Sequence, residues 1–227
     1  MMRVSPRMWL ALTAFAVMAS IVAVTTVASE QSHRSSNPAA ARFLSALGRL
    51  RVEPRHHDRS YDRSRFGTAW SDDSDAQGAH NGCDTRNDIL TRDLRDRRFT
   101  STDKCPKAID AGEFRSPYTG TWMRFRRVTA AAVQIDHVVA LSYAWDMGAK
   151  EWSDRLRLTF ANDPANLVAV DGPSNQDKGD GPPSRWMPAN KGFHCRYAAQ
   201  FITVASAYGL ALDPDSVGVL RTALRRC

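Results

Sequence analysis

The chain has 227 residues, 43% of them hydrophobic and 24% charged, with four cysteines, 13 glycines and 11 prolines. That balance excludes a disordered or collagen-like chain, and no internal repeat marks a solenoid. Lys and Arg number 31 against 24 Asp and Glu, a net charge of +7 in which arginine outnumbers lysine 26 to 5; a basic surface of this kind suits a polyanionic partner.

The N-terminus reads as a targeting segment. Arg3 and Arg7 precede an uncharged run over residues 8–29, and Thr26-Val27-Ala28 offers small residues at a cleavage position. Residues 1–28 are therefore expected to be a signal peptide or an N-terminal membrane anchor, since the run approaches the ~20 residues that span a bilayer. Cleavage is favoured over anchoring, and both place the remainder outside the cytoplasm. Residues 29–60 are expected to form a linker and a short amphipathic helix, with Phe43, Leu44, Leu47 and Leu50 on one side. His56-His57 sits in a polar stretch and is read as solvated loop.

Residues 61–227 are then long enough for one domain with its own core. The acids Asp72, Asp73 and Asp75 lack the order of a calcium loop and are read as surface. A helix is predicted from about Thr85, its N-cap, with arginines and aspartates between Arg86 and Arg98 forming a salt-bridged face; Arg86 and Arg92 are candidates for substrate phosphate. Ser116–Gly120 is a turn, and Thr121–Arg126 reads as a strand. The four cysteines, Cys83, Cys105, Cys195 and Cys227, form no C-x-x-C pair of the kind zinc prefers. Disulfides in an oxidising compartment suit them better, and of three possible pairings Cys83–Cys105 with Cys195–Cys227 is the local one.

The chemistry concentrates in residues 133–180. Val133–Val139 and Leu167–Val170 are short, β-branched runs with the length of buried strands. Asp136 and His137 stand side by side in the first; Asn166 opens the second; Asn175 and Lys178 follow the Gly172-Pro173 turn. Between the strands, Trp145, Trp152, Leu156 and Phe160 fall at near-helical spacing and predict one or two helices. Asp136 and Asn175 offer hard oxygen donors that suit Mg²⁺. A neutral His137 could take a proton from water, and Lys178 would share a helix face with Asn175. Beyond the site, His194–Tyr208 and a stretch through Val217, Leu220 and Leu224 predict two helices whose aromatics are core.

Asp136-His137, Asn166 and Asn175-Gln176-Asp177-Lys178 together resemble the HNH endonuclease superfamily and its ββα-metal fold, in particular the GmrSD-type C-terminal nuclease branch among secreted proteins. The resemblance implies an α+β fold with a ββα catalytic motif inside a helix-rich, disulfide-stapled domain. It implies His137 as general base, Asn166 as a residue whose amide pins the loop between the strands, and Asp136 and Asn175 as ligands of a divalent metal, Mg²⁺. It also implies a phosphate role for Lys178 and DNA, rather than RNA, as substrate. A monomer is expected. Neighbouring side chains on a regular strand point to opposite faces, so this mechanism requires the first strand to twist or end near His137, bringing the imidazole to the cleft of Asp136 and Asn175. The alternatives are a non-catalytic basic envelope protein that binds polyanions, and a toxin-like nuclease.

Overall fold

The computed structural model describes residues 37–227, and the predicted leader lies outside them. In chain order the elements are α1 (Pro38–Leu47), α2 (Thr85–Asp93), β1 (Arg95–Thr102), β2 (Cys105–Arg115), β3 (Trp122–Arg126) and β4 (Val133–His137). They continue with α3 (Leu141–Asp146), α4 (Asp154–Asn162), β5 (Leu167–Asp171), α5 (Gly172–Lys178), α6 (His194–Ala207) and α7 (Pro214–Arg225). The fold is α+β, with β4, β5 and α5 in the predicted strand–strand–helix order.

β4 and β5 pair antiparallel in a register that sets Val133 opposite Asp171 and His137 opposite Leu167. The pleat divides this hairpin. Val133, Ile135, Leu167 and Ala169 enter one apolar cluster with Ile89, Leu90, Ile109, Phe114 and Phe125. The opposite face, through Val170, meets the larger cluster built on α3, α6 and α7. The insert, expected to hold one or two helices, forms α3 and α4, with Trp145 and Phe160 buried. Tyr197, Phe201 and Val204 are likewise buried.

The stretch predicted as one salt-bridged helix face divides in two. α2 stops at Asp93, and Arg95, Arg97 and Arg98 belong to β1, the edge of a three-stranded antiparallel sheet ordered β1-β2-β3. β2 buries Ala108, Ile109, Ala111 and Phe114, and a central strand of that kind needs partners on both edges. β1 satisfies that need whatever its own propensity, and charged residues suit an exposed edge. The N-cap of α2 is Asp84, whose carboxylate accepts from the Asn87 amide at 2.8 Å, rather than the predicted Thr85. Thr85 instead donates to Ser71 and Asn162.

α1 is capped by Asn37, which accepts from the Ala39 amide, with Pro38 where a missing N–H does no harm. It packs on α6 and α7 with Leu47 buried, so the predicted amphipathic helix is part of the folded body.

Both disulfides take the local pairing, Cys83–Cys105 and Cys195–Cys227, across sequence separations of 22 and 32. Loops of that size correspond to about 3–4 kcal/mol each in the chain-entropy treatment. The double variant Cys195→Ser/Cys227→Ser should lose about that much stability in urea unfolding; a loss below about 1 kcal/mol would contradict the estimate.

Candidate active site

The β4–β5–α5 unit places its polar residues on two separate sides. Gln134 and Asp136 share the face covered by α5, where residues three apart also share a side. Asn175 Nδ2 donates to Gln134 Oε1 at 2.8 Å, and Lys178 Nζ donates to Asp136 Oδ1 at 2.9 Å. These are two rungs between one helix and one strand. Gly172 lets α5 begin so close, because a Cβ there would stand 2.9 Å from the Ala131 carbonyl oxygen. Asp171 caps the helix by accepting from the Ser174 amide, and its other oxygen accepts from the Ser116 hydroxyl.

Asp136 is fully engaged. Besides Lys178, the Tyr118 hydroxyl donates to its second oxygen. Lys178 also donates to the His137 carbonyl at 2.8 Å. Lys178, Asp136 and Tyr118 are 3%, 5% and 0% exposed. Burial, and then the neighbouring Asp136 charge, raise the Tyr118 hydroxyl well above its usual pKa, so it remains protonated and a donor.

Asn166, fully buried, completes the hairpin end. Its side chain copies a strand partner: Oδ1 accepts from the Val139 amide at 2.8 Å and Nδ2 donates to the Val139 carbonyl at 3.2 Å. Its own carbonyl accepts from the Val138 amide. The amide thus joins the chain leaving β4 to the chain entering β5.

His137 lies on the other side. β4 does end at His137, but the imidazole follows Val133 and Ile135 in the pleat rather than Asp136. Its Nε2 is 2.8 Å from the Ala161 carbonyl. A carbonyl only accepts, so Nε2 carries the proton and Nδ1 the lone pair. Trp70 stacks on the ring at 5.9 Å between centroids, 14° from parallel. Both rings line a pocket of about 230 Å³, together with Arg63, Ser64, Gly67 and Ala161. Burial holds the His137 pKa down to about 3, against the Ala161 bond that raises it, with Arg63 and Lys178 adding repulsion. The imidazole is therefore neutral at neutral pH.

The pocket wall is set by residues with no signal in the sequence. Asp62 caps the 3₁₀ turn Arg63–Phe66, and buried Arg157 donates to the Arg65 carbonyl at 3.0 Å, fixing the turn against α4. Trp70 and Arg63 come from a stretch that carries no recognisable motif. Tyr118 was legible only as part of a turn.

The structure gives several of these side chains partners within the protein. The Lys178 ammonium, for which a phosphate role was expected, is buried against Asp136 and the His137 carbonyl. Arg86 donates to the carbonyls of Ala130 and Val133, and Arg92 to those of Pro164 and Leu167, so both brace backbone. The donor set expected for Mg²⁺ does not fit this arrangement. Each Asp136 oxygen accepts a hydrogen bond within the protein, Asn175 turns its Nδ2 to Gln134, and His137 opens elsewhere. Among the described residues no group of three or more His, Cys, Asp or Glu side chains forms a candidate metal nest. Lys178 supplies Asp136 with the positive charge a cation would have brought.

An antiparallel hairpin bearing Asp-His at the end of one strand and Asn at the mouth of the next, with a helix laid across it, defines a nuclease-type ββα domain. The family profile described as GmrSD restriction endonucleases, C-terminal domain, matches residues 84–212, and the chain belongs to that family. A protein of Arthroderma benhamiae described as an uncharacterized secreted protein is 35% identical over 193 residues, covering 84% of this chain and 87% of its own length. No solved structure matches.

Two outcomes test this geometry. Lys178→Met leaves a buried carboxylate without its cation and should cost about 3–5 kcal/mol, while the double variant Asp136→Leu/Lys178→Met should recover most of the loss. Equal stabilities for the single variant and wild type in urea titrations would remove the ion pair from its structural role. The second concerns pH. The folded pKa of His137, about 3, lies below its ordinary value of 6.5, so the unfolded chain binds the proton first. Its contribution to stability is complete above about 6.5 and is lost as pH falls toward 3, with a slope of at most about 1.4 kcal/mol per unit. His137→Gln should flatten the stability profile in that window; parallel curves for the two proteins would refute the assignment.

Proposed function

We propose that the protein is an exported nuclease that hydrolyses phosphodiester bonds in nucleic acid, DNA in preference to RNA, from the pocket at the end of β4. The observation that carries this reading is the neutral His137, with Nε2–H fixed on the Ala161 carbonyl, lining an open pocket beside Arg63. The fixed tautomer leaves the Nδ1 lone pair free, and for it to take a proton near neutral pH a bound substrate phosphate would have to raise the imidazole pKa that burial holds down. Membership of the endonuclease family supports the reaction class. Arg63 brings a guanidinium to the same pocket, where a phosphate would meet it. His137 would take the proton of an attacking water, Arg63 would hold the phosphate, and Asn166 would keep the end of β4 in place.

Mg²⁺ is the cation that the family resemblance implies. As Asp136 and Asn175 stand, they do not offer it a pair of free oxygens, and no step is assigned to it. The same observation favours a second reading, a polyanion-binding protein without hydrolysis, because the Asp136 carboxylate is closed by Lys178 and Tyr118. Export is supported by the two closed disulfides and by the secreted relative.

The experiment incubates oxidised protein with plasmid DNA and with RNA, in Mg²⁺ and in EDTA. Cleavage of DNA is expected, with His137→Ala reducing the rate by about 10²–10⁴-fold while the unfolding transition stays cooperative. Equal rates for wild type and His137→Ala would sink the mechanism. Retardation of both polymers without cleavage in either condition would establish the second reading.

A further inference from the structure

A second concave surface, separate from the His137 pocket, runs between the three-stranded sheet and β5. It encloses about 790 Å³, and its floor includes Leu94, Phe114, Val168 and Ala169. Arginines stand along its walls. Arg95 comes from β1, Arg115 from the end of β2 and Arg196 from the first turn of α6. All three are exposed, and none makes a salt bridge among the described residues. Aromatic rings stand beside them. Trp122, 62% exposed, has the Arg95 guanidinium 6.0 Å from its ring, and Arg196 lies 5.7 Å over Phe193.

Of the groove's rings, Trp122 stands exposed, while Phe114 and Phe193 are buried. Guanidinium groups set around one exposed indole in a groove match a chain that carries a phosphate and an aromatic face in every repeat. In a duplex the base faces are stacked away, so the match is to a single strand. We infer that this groove binds single-stranded nucleic acid, with Trp122 as a base-stacking platform and Arg95, Arg115 and Arg196 on the phosphates.

The groove also has a defined relation to the pocket. Pro164 and Ala165 line the groove, and Ala161, whose carbonyl holds His137, lines the pocket. Three peptide units between Ala161 and Pro164 span at most about 11 Å. The wall of the groove and the wall of the pocket are therefore within about 11 Å of each other at this point. The inference deepens the nuclease reading by naming the form of its substrate, and its nucleic-acid ligand rests on that reading, but binding can be measured without cleavage.

The test uses His137→Ala protein, so that ligand is not consumed, with a labelled oligothymidine, a duplex of equal length and heparin as a polyanion without bases. Anisotropy titrations should show the single strand bound more tightly than the duplex. Trp122→Ala should weaken the single strand by at least about fivefold, the lower bound for one base–aromatic stack, and leave heparin unchanged. Arg95→Ser and Arg196→Ser should each weaken both polyanions and lower the salt slope for the single strand by about 0.7. Unchanged single-strand affinity in Trp122→Ala, or an equal loss for heparin, would overturn the inference. The two readings fail separately. Wild-type protein that binds through Trp122 but never cleaves keeps the groove and removes the nuclease; cleavage with Trp122→Ala affinity unchanged does the reverse.

Discussion

The buried ion pair between Asp136 and Lys178 is the constraint on which the centre of the molecule depends. It ties the last turn of α5 to the last residues of β4, and Tyr118 ties the same carboxylate to the turn before β3. Such a pair is a poor source of net stability, because desolvating two charges offsets most of their attraction. What it does supply is register: α5 displaced by one residue would leave an ammonium and a carboxylate facing apolar side chains. With that face of the hairpin committed to holding α5, the side chain left facing an open pocket is His137, on the other face. The alternation of a strand thus assigns adjacent residues to unrelated tasks.

The chain carries 26 arginines, and the structure changes what that number means. Arg86, Arg92, Arg127 and Arg157 each donate to at least one backbone carbonyl, Arg92 also pairs with Asp93, and Arg157 is only 4% exposed. These guanidinium groups act as braces where loops and strand ends leave acceptors unpaired. The formal charge of +7 therefore overstates what is available to a ligand. Other arginines stay exposed, among them Arg63 at the pocket and Arg95 and Arg196 along the groove, where Arg115 also donates to the Gly120 carbonyl.

How much was legible in the sequence follows from the range of the forces involved. β4 and β5 were visible because they are buried on both faces and read as continuous β-branched runs, and α3, α4, α6 and α7 because their apolar spacing is local. β1 and β2 were not, since an arginine-rich edge strand is held by its neighbour rather than by its own composition. Asp136, His137, Asn166, Asn175 and Lys178 stood out as a set by type and order. Spacing placed Asn175 and Lys178 on one helix face, but it could not say what that face meets. Gln134 and Tyr118 decide that, and Tyr118 lies 18 positions from Asp136 with no motif to mark it. The pocket wall was illegible for the same reason, because Arg63 and Trp70 reach His137 through tertiary contact alone.

The packing of α1 on α6 and α7 sets the order in which the chain can mature. Leu47 is covered by residues some 150 positions later, and the Leu212 amide bonds to the Arg51 carbonyl beside it. A chain still emerging from a ribosome or a translocation pore holds α1 long before its covering helices exist. Its apolar side must wait in solvent or in the grip of a chaperone until synthesis is nearly done. The apolar side of α1 is consequently closed only once the last two helices of the chain exist.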